Sequence, residues 1–210
     1  MRKFTLLWLP LTFLAAAPAI AQDEPPRFAL TPFLAYQGGG EFETSTGSAL
    51  KLDDSASLGL IFDIQLDADR QFEIFYSRQE TEADTADLFV GEPVMDIEVD
   101  YLHFGGTVAV GDSDTARPYI VATVGASRLE PKASGLDPET FLSFSFGGGV
   151  NLFPDKQVGL RLEGRLFGTL MNSDSTIFCR TGVDTNFCAV SVNGDIFFQW
   201  QAIAGLVVRF

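Results

Sequence analysis

Eight segments of the chain carry apolar side chains at every second position, the period of a β-strand with one greasy face. They span 27–36, 57–66, 70–79, 101–110, 117–128, 142–152, 158–170 and 198–210. The cleanest sets Leu58, Leu60, Phe62, Ile64 and Leu66 against Ser57, Gly59, Ile61, Asp63 and Gln65. The last sets Phe198, Trp200, Ala202, Ala204, Leu206, Val208 and Phe210 against Gln199, Gln201, Gly205 and Arg209. Segment 117–128 is small and apolar throughout, so its facing stays open. No long stretch has helical period, and the 20 Gly and 20 Phe suit twisted, closely packed strands.

The connections alternate in length. Long polar stretches occupy 37–56, 80–94 and 172–194, whereas 67–69, 111–116 and 154–156 are tight turns and 131–138 is of middling length. An even number of antiparallel strands lets the first pair with the last, so the pattern predicts an all-β, eight-stranded antiparallel transmembrane β-barrel. Short turns on one side and long loops on the other put both termini on the turn side, the periplasmic one. Pro32 falls inside the first segment and brings no N–H to a ladder that has no edge to excuse it, so a bulge is expected there.

Period two does not by itself say which face points out. The positions of the aromatics do: Phe28, Tyr36, Tyr76, Tyr101, Phe141, Phe153 and Trp200 fall near segment ends, where two interfacial girdles would lie. The apolar rows are therefore expected to face lipid, with Asp63, Arg161 and their like facing inward.

At the N-terminus, Arg2 and Lys3 precede an apolar run at 4–17 and the small-x-small sequence Ala19-Ile20-Ala21. This reads as a signal peptide over 1–21, cut after Ala21, with a barrel domain over 22–210. The run is too short to span a bilayer as a helix, which takes about 20 residues. Export and residence in the bacterial outer membrane are the expectation.

Charge narrows the function classes. With 14 Lys+Arg against 28 Asp+Glu, the formal net charge of −14 disfavours nucleic acid as a partner. Cys179 and Cys188 are the only cysteines, and in an oxidising compartment they are expected to close a loop as a disulfide. A zinc site would need two further ligands, and the single histidine, His103, lies far off in sequence.

Inside the expected barrel, pairing about the turn at Ala68 sets Asp63 opposite Glu73, both on the polar face. Arg161, Glu163 and Arg165 occupy the polar face of the strand across the lumen. These five are expected to form an interior ion network, with Gln199 and Gln201 nearby, that fills a lumen just wide enough for side chains. A static plug is the main expectation. The alternative is a narrow cation-preferring channel for small solutes. Catalysis is not expected, because His103 is followed by Phe104 and Gly105 and not by the His-x-Ser pair of lipid-deacylating barrels. No cofactor or resident metal is expected. The acidic run Glu80, Glu82, Asp84, Asp87, Glu92, Asp96, Glu98 and Asp100 reads as a solvated loop and flanks, with divalent-cation bridging to lipopolysaccharide as the lesser reading.

The opening Thr31-Pro32-Phe33 running into Gly38-Gly39-Gly40, the Gly-Leu-Arg-Leu-Glu-Gly stretch at 159–164 and the Val207-Val208-Arg209-Phe210 end resemble the small outer-membrane barrels typified by the OmpA transmembrane domain, OmpX and the opacity-type surface antigens. The resemblance covers essentially the whole chain after residue 21. It implies that Leu206, Val208 and Phe210 form a C-terminal assembly signal read by the barrel assembly machinery. It further implies a monomer surrounded by outer-membrane lipid and lipopolysaccharide, with an envelope-structural role or an extracellular partner. Unlike in OmpA itself, no peptidoglycan-binding domain is expected after the barrel.

Overall fold

Alternation of side chains across a closed sheet gives every strand one wall toward the lumen and one toward the outside. The computed structural model describes residues 27–43, 49–84, 94–111, 113–132, 137–171, 176–181, 186–191 and 196–210. The expected signal peptide with its cleavage point at Ala21, and Asp87 and Glu92 of the acidic run, lie outside them.

Among the described residues twelve strands follow one another: β1 (Phe28–Gly38), β2 (Glu41–Glu43), β3 (Ala49–Lys51), β4 (Ser55–Gln65), β5 (Arg70–Asp84), β6 (Val94–Ala109), β7 (Ala116–Pro131), β8 (Glu139–Leu152), β9 (Val158–Leu170), β10 (Thr176–Thr181), β11 (Asn186–Ser191) and β12 (Ile196–Arg209). Eight of them close into a barrel in the order β1, β12, β9, β8, β7, β6, β5, β4, and every pair is antiparallel. The other four make two small hairpins, β2–β3 and β10–β11, within stretches expected to be plain loops.

Pro32 is accommodated without the expected bulge. Leu30 pairs with Val208 and Phe33 with Gly205, so the register is the same on both sides of the proline and no residue is inserted. Thr31 and Pro32 instead drop out of the ladder to β12 while still pairing with Ile61 and Leu60 of β4. A missing N–H removes a bond without forcing the chain to slip.

The middle strands run further than the apolar alternation suggested. Glu80 and Glu82 belong to β5 and not to a loop, and Asp96, Glu98 and Asp100, the acidic flank of the next segment, belong to β6. Beyond the greasy belt the outward positions turn charged, while the buried inward ones are Gln79 and Thr81 beside the apolar Ala83, Met95, Ile97, Val99 and Leu129. With Leu52, Met171 and Phe197 the apolar ones pack a core at the loop end of the barrel. The β2–β3 hairpin feeds Leu52 into it, held by Leu52 N–H donating to the Gly40 carbonyl at 2.9 Å and Asp53 N–H to that of Glu82 at 2.9 Å. Gly40, at φ +108°, leaves space that the Phe197 ring fills, and an added Cβ would meet that ring.

Below this cap the outer wall is apolar around the whole circumference. Leu34, Leu58, Leu102, Ile120, Leu142, Leu162 and Phe198, from seven different barrel strands, are all between 45% and 71% exposed. Soluble proteins rarely leave contiguous apolar patches larger than a few hundred Å². A continuous belt over a polar interior is the arrangement of a barrel solvated by hydrocarbon, where closure pairs every strand edge. Among the described residues no helix is long and apolar enough to cross a membrane, a test that does not bear on strands.

Candidate functional site

The lumen is where this chain concentrates its buried polar groups. β4 and β5 pair so that Asp63 lies directly opposite Glu73, and β9 carries Arg161, Glu163 and Arg165 on its inward positions. All five side chains are at most 5% exposed. Arg161 donates to Glu73 at 2.5 Å and to Glu163 at 2.7 and 2.9 Å. Arg165 donates to Glu163 at 2.6 Å and to Glu73 at 2.8 Å. Two carboxylates and two guanidiniums thus bridge each other reciprocally, a neutral quartet in which each charge faces two opposite ones. Buried ions need this pairing to offset their desolvation.

Asp63 is the supernumerary charge. Its only hydrogen bond within the quartet is from Arg161 Nη1 at 3.1 Å, and its Oδ1 has no hydrogen-bond partner. Asp63 also lines a cavity of about 20 Å³ at the turn end, with Gln65, Gln71 and Arg209. A second cavity of about 30 Å³ at the same end is lined by Gln71, Thr107, Arg117, Tyr119 and Asn151. Each has room for about one water molecule.

Tyr119 is a member that periodicity could not supply, since the facing of its strand was open. It points inward, donates to Glu163 Oε2 at 2.6 Å, and lies under the Arg161 guanidinium at 4.8 Å. Its only signal in sequence is one large polar ring in a run of small residues. Arg165 likewise stands over the Phe75 ring at 4.2 Å.

Toward the loop end, aromatics follow the charges. Phe75, Tyr101, His103 and Phe167 pack against one another, with the Tyr101 and Phe167 rings stacked at 4.4 Å. His103 spends both ring nitrogens there, Nδ1 with Thr123 Oγ1 at 3.0 Å and Nε2 with Ser143 Oγ at 2.7 Å. It is a lumen residue within a hydroxyl cluster, with no carboxylate bonded to it.

Gln199 and Gln201, expected near the charges, form a separate layer beside them. Gln201 is paired in register with Arg165, yet its amide donates to Gln37 at 2.5 Å, Ser77 at 2.8 Å and Ser57 at 3.1 Å. Gln199 accepts from Tyr101 at 2.7 Å and Gln37 at 3.0 Å, and donates to Gln79 at 3.2 Å. The glutamines bond to one another because each brings both donor and acceptor, while Gln201 Oε1 is left without a hydrogen-bond partner.

In the β10–β11 hairpin, Cys179 sits directly opposite Cys188 in the ladder. At the other end of the molecule, Leu206, Val208 and Phe210 close the chain along the seam with β1, where Phe28 and Phe210 exchange backbone bonds at 3.1 and 2.9 Å. Among the described residues no group of His, Cys, Asp and Glu is arranged to hold a metal ion.

No known family model matches this chain, and no curated protein does. Solved structures do. Neisserial surface protein A is 14% identical with a TM-score of 0.57, over 87% of this chain and 97% of its own. The outer membrane protein OprG from Pseudomonas aeruginosa is 13% identical with a TM-score of 0.50, over 88% of this chain and 96% of its own. At these identities what is shared is the fold: this chain has the architecture of the small outer-membrane β-barrels.

Proposed function

We propose that the chain is an exported, integral outer-membrane barrel whose lumen is plugged, and that it works through its outer surface and loops, in envelope structure or contact outside the cell. The observation that carries the reading is the succession of layers across the lumen. Quartet, aromatics, amides and apolar cap fill it in turn, and the two small cavities described above both lie at the turn end. The apolar belt supports residence in lipid, and the fold shared with outer-membrane barrels supports which membrane. In this reading the signal peptide is removed after Ala21, the tight turns and both ends of the barrel face the periplasm, and the loops face out.

Cys179 and Cys188 then form a disulfide that clips the outermost hairpin. Residues opposed in an antiparallel ladder have Cα atoms about 4.5–5.5 Å apart, inside the range of about 4.4–6.8 Å that a disulfide spans. The clipped hairpin and the acidic strand ends are the parts offered to an extracellular partner.

The test is fractionation with gel migration, joined to conductance in planar bilayers. The expected result is a protein of the outer-membrane fraction that migrates differently before and after boiling and passes no steady current. A protein recovered without detergent overturns the membrane reading. A stable conductance that changes in Arg161→Ala overturns the plug and leaves the narrow channel.

A further inference from the structure

Resting on the membrane reading above, we infer that the outward patch of Leu142, Leu170, Ile196 and Phe198, at the loop end of β8, β9 and β12, is covered by lipid acyl chains. The loop-side edge of the hydrocarbon then slopes across the barrel instead of ringing it at one level.

The register sets the height of every outward residue. The row that leaves β9 at Val158 passes Val208 on β12 and Leu30 on β1, crosses the other five strands in turn, and comes back to β9 at Gly168. It returns ten residues nearer the loops, so a paired row is a climbing spiral and not a level ring. Such a stagger goes with tilted strands, and one residue along a strand then raises the wall by roughly 2.5 Å.

At the turn end the greasy edge is level. Phe28, Leu66, Val110, Val158 and Phe210 are 41% to 65% exposed, and the spiral puts them within about 3 Å of one height. At the loop end it is not level. On β5 only Phe72, Ile74 and Tyr76 face outward between Arg70 and Arg78, so the two charges are about 20 Å apart in height. On β9 no polar side chain faces outward from Val158 to Leu170, a wall of about 30 Å. On β12 the same holds from Phe210 back to Ile196, about 35 Å. A barrel's greasy band is about 25 Å tall. One flank falls short of it and the other overshoots.

The contrast is sharpest at a single height. The row from Leu162 passes Ala204, Leu34 and Leu58 and reaches Arg78 on β5, halfway round the barrel. Half the climb makes Arg78 level with Phe167, and Glu80, two residues farther along β5, level with Thr169. Glu80 is exposed and charged there, while Leu170 beside that level is 38% exposed and Phe198 55%.

Continuity names the occupant. No polar side chain separates Leu170 or Ile196 from the belt beneath, so acyl chains lying along β9 and β12 meet no boundary until the strands end. A bilayer thickens beside a long greasy wall and thins beside a short one. Because the turn-side edge is level, the slope belongs to the loop-side leaflet and not to a lean of the whole cylinder.

The test uses the exported chain cut after Ala21, in which Trp200 is the one native tryptophan. With Trp200→Phe as background, single tryptophans are placed by Leu170→Trp, Phe198→Trp and Glu80→Trp, and each protein is folded into phosphatidylcholine vesicles. Emission is read against lipid brominated along its acyl chains and against iodide in the water. Leu170→Trp and Phe198→Trp are expected to lose emission to the brominated lipid and keep it in iodide, and Glu80→Trp to do the reverse. Leu142→Trp, at the height of Glu80, replaces either patch variant if it does not fold. Patch tryptophans that answer to iodide are wet, and the inference falls. It falls equally if they answer to neither quencher, which marks cover by a second copy or by the chain's own loops, or if Glu80→Trp is quenched by the brominated lipid as strongly as they are. A chain that never enters vesicles fails the membrane reading instead, a different outcome from one that folds there with a level edge.

Discussion

Arg161 and Glu73 are 88 positions apart in sequence and meet at 2.5 Å across the lumen, joining β9 to β5, strands that are not neighbours in the sheet. A contact of this kind braces the cylinder from within, as the hydrogen-bonded ladder holds it along the wall. It also sets up an ordering among substitutions.

Removing one member of the quartet leaves charge stranded in a buried site. Arg165→Met is expected to lower unfolding free energy by about 3–5 kcal/mol, and Glu73→Gln to act in the same direction. Asp63→Asn is expected to cost far less, because Asp63 makes a single bond to Arg161 and brings the odd charge. Urea unfolding in lipid vesicles measures all three, and an Asp63 effect as large as that of Arg165 would undo the distinction.

Glycines on the wall separate by what stands in front of them. At Gly125 a Cβ would run into the Leu102 carbonyl and the His103 backbone, so Gly125→Ala must shift the β6–β7 ladder. A loss of roughly 1–3 kcal/mol is expected. Gly164 has nothing within 4 Å of the same position, and Gly164→Ala is expected to be neutral or stabilising by up to about 1 kcal/mol. The same unfolding assay compares them.

The β4–β5 turn predicts a pH effect. Asp67 accepts from the Arg70 side chain at 2.7 Å and from the Arg70 and Asp69 backbone at 2.9 and 3.1 Å. These bonds, the Arg70 side chain first, hold its carboxyl below the usual carboxylate range. A depressed folded value stabilises above the unfolded pKa, and that stabilisation is lost as pH falls through the folded one. Wild type is therefore expected to lose its advantage over Asp67→Asn on acidification below about pH 4. The effect is small because the turn is exposed, and urea midpoints at stepped pH measure it.

For the outer hairpin, mass measurement before and after reduction is expected to show two hydrogens gained per molecule in wild type and none in Cys179→Ser with Cys188→Ser. An unchanged wild-type mass would leave two thiols where a clip was proposed.

Much of the barrel was legible in the sequence because period two survives wherever one wall is greasy. The opposition of Asp63 and Glu73 followed from counting outward from Ala68, and the register agrees. Pattern reading failed where its contrast vanished. Segment 117–128 had no polar wall, which hid Tyr119. In 80–84 the outward wall became charged, which disguised strand as loop. Pro32 misled for another reason: a lost donor and an inserted residue look alike until the register is known. The slope of the loop-side edge gave no warning, because only pairing halfway round the barrel brings Glu80 and Leu170 to nearly one height.

The two rungs missing beside Pro32 divide the closing seam in two. Ala29 and Leu30 fasten to Arg209 and Val208 on one side of the gap, and Phe33 through Gly38 fasten to Gly205 through Trp200 on the other. The final stitch that turns this sheet into a tube is thus made at two separate clasps. The short one is extended by the reciprocal backbone bonds of Phe28 and Phe210, and the long one carries the rest of the seam.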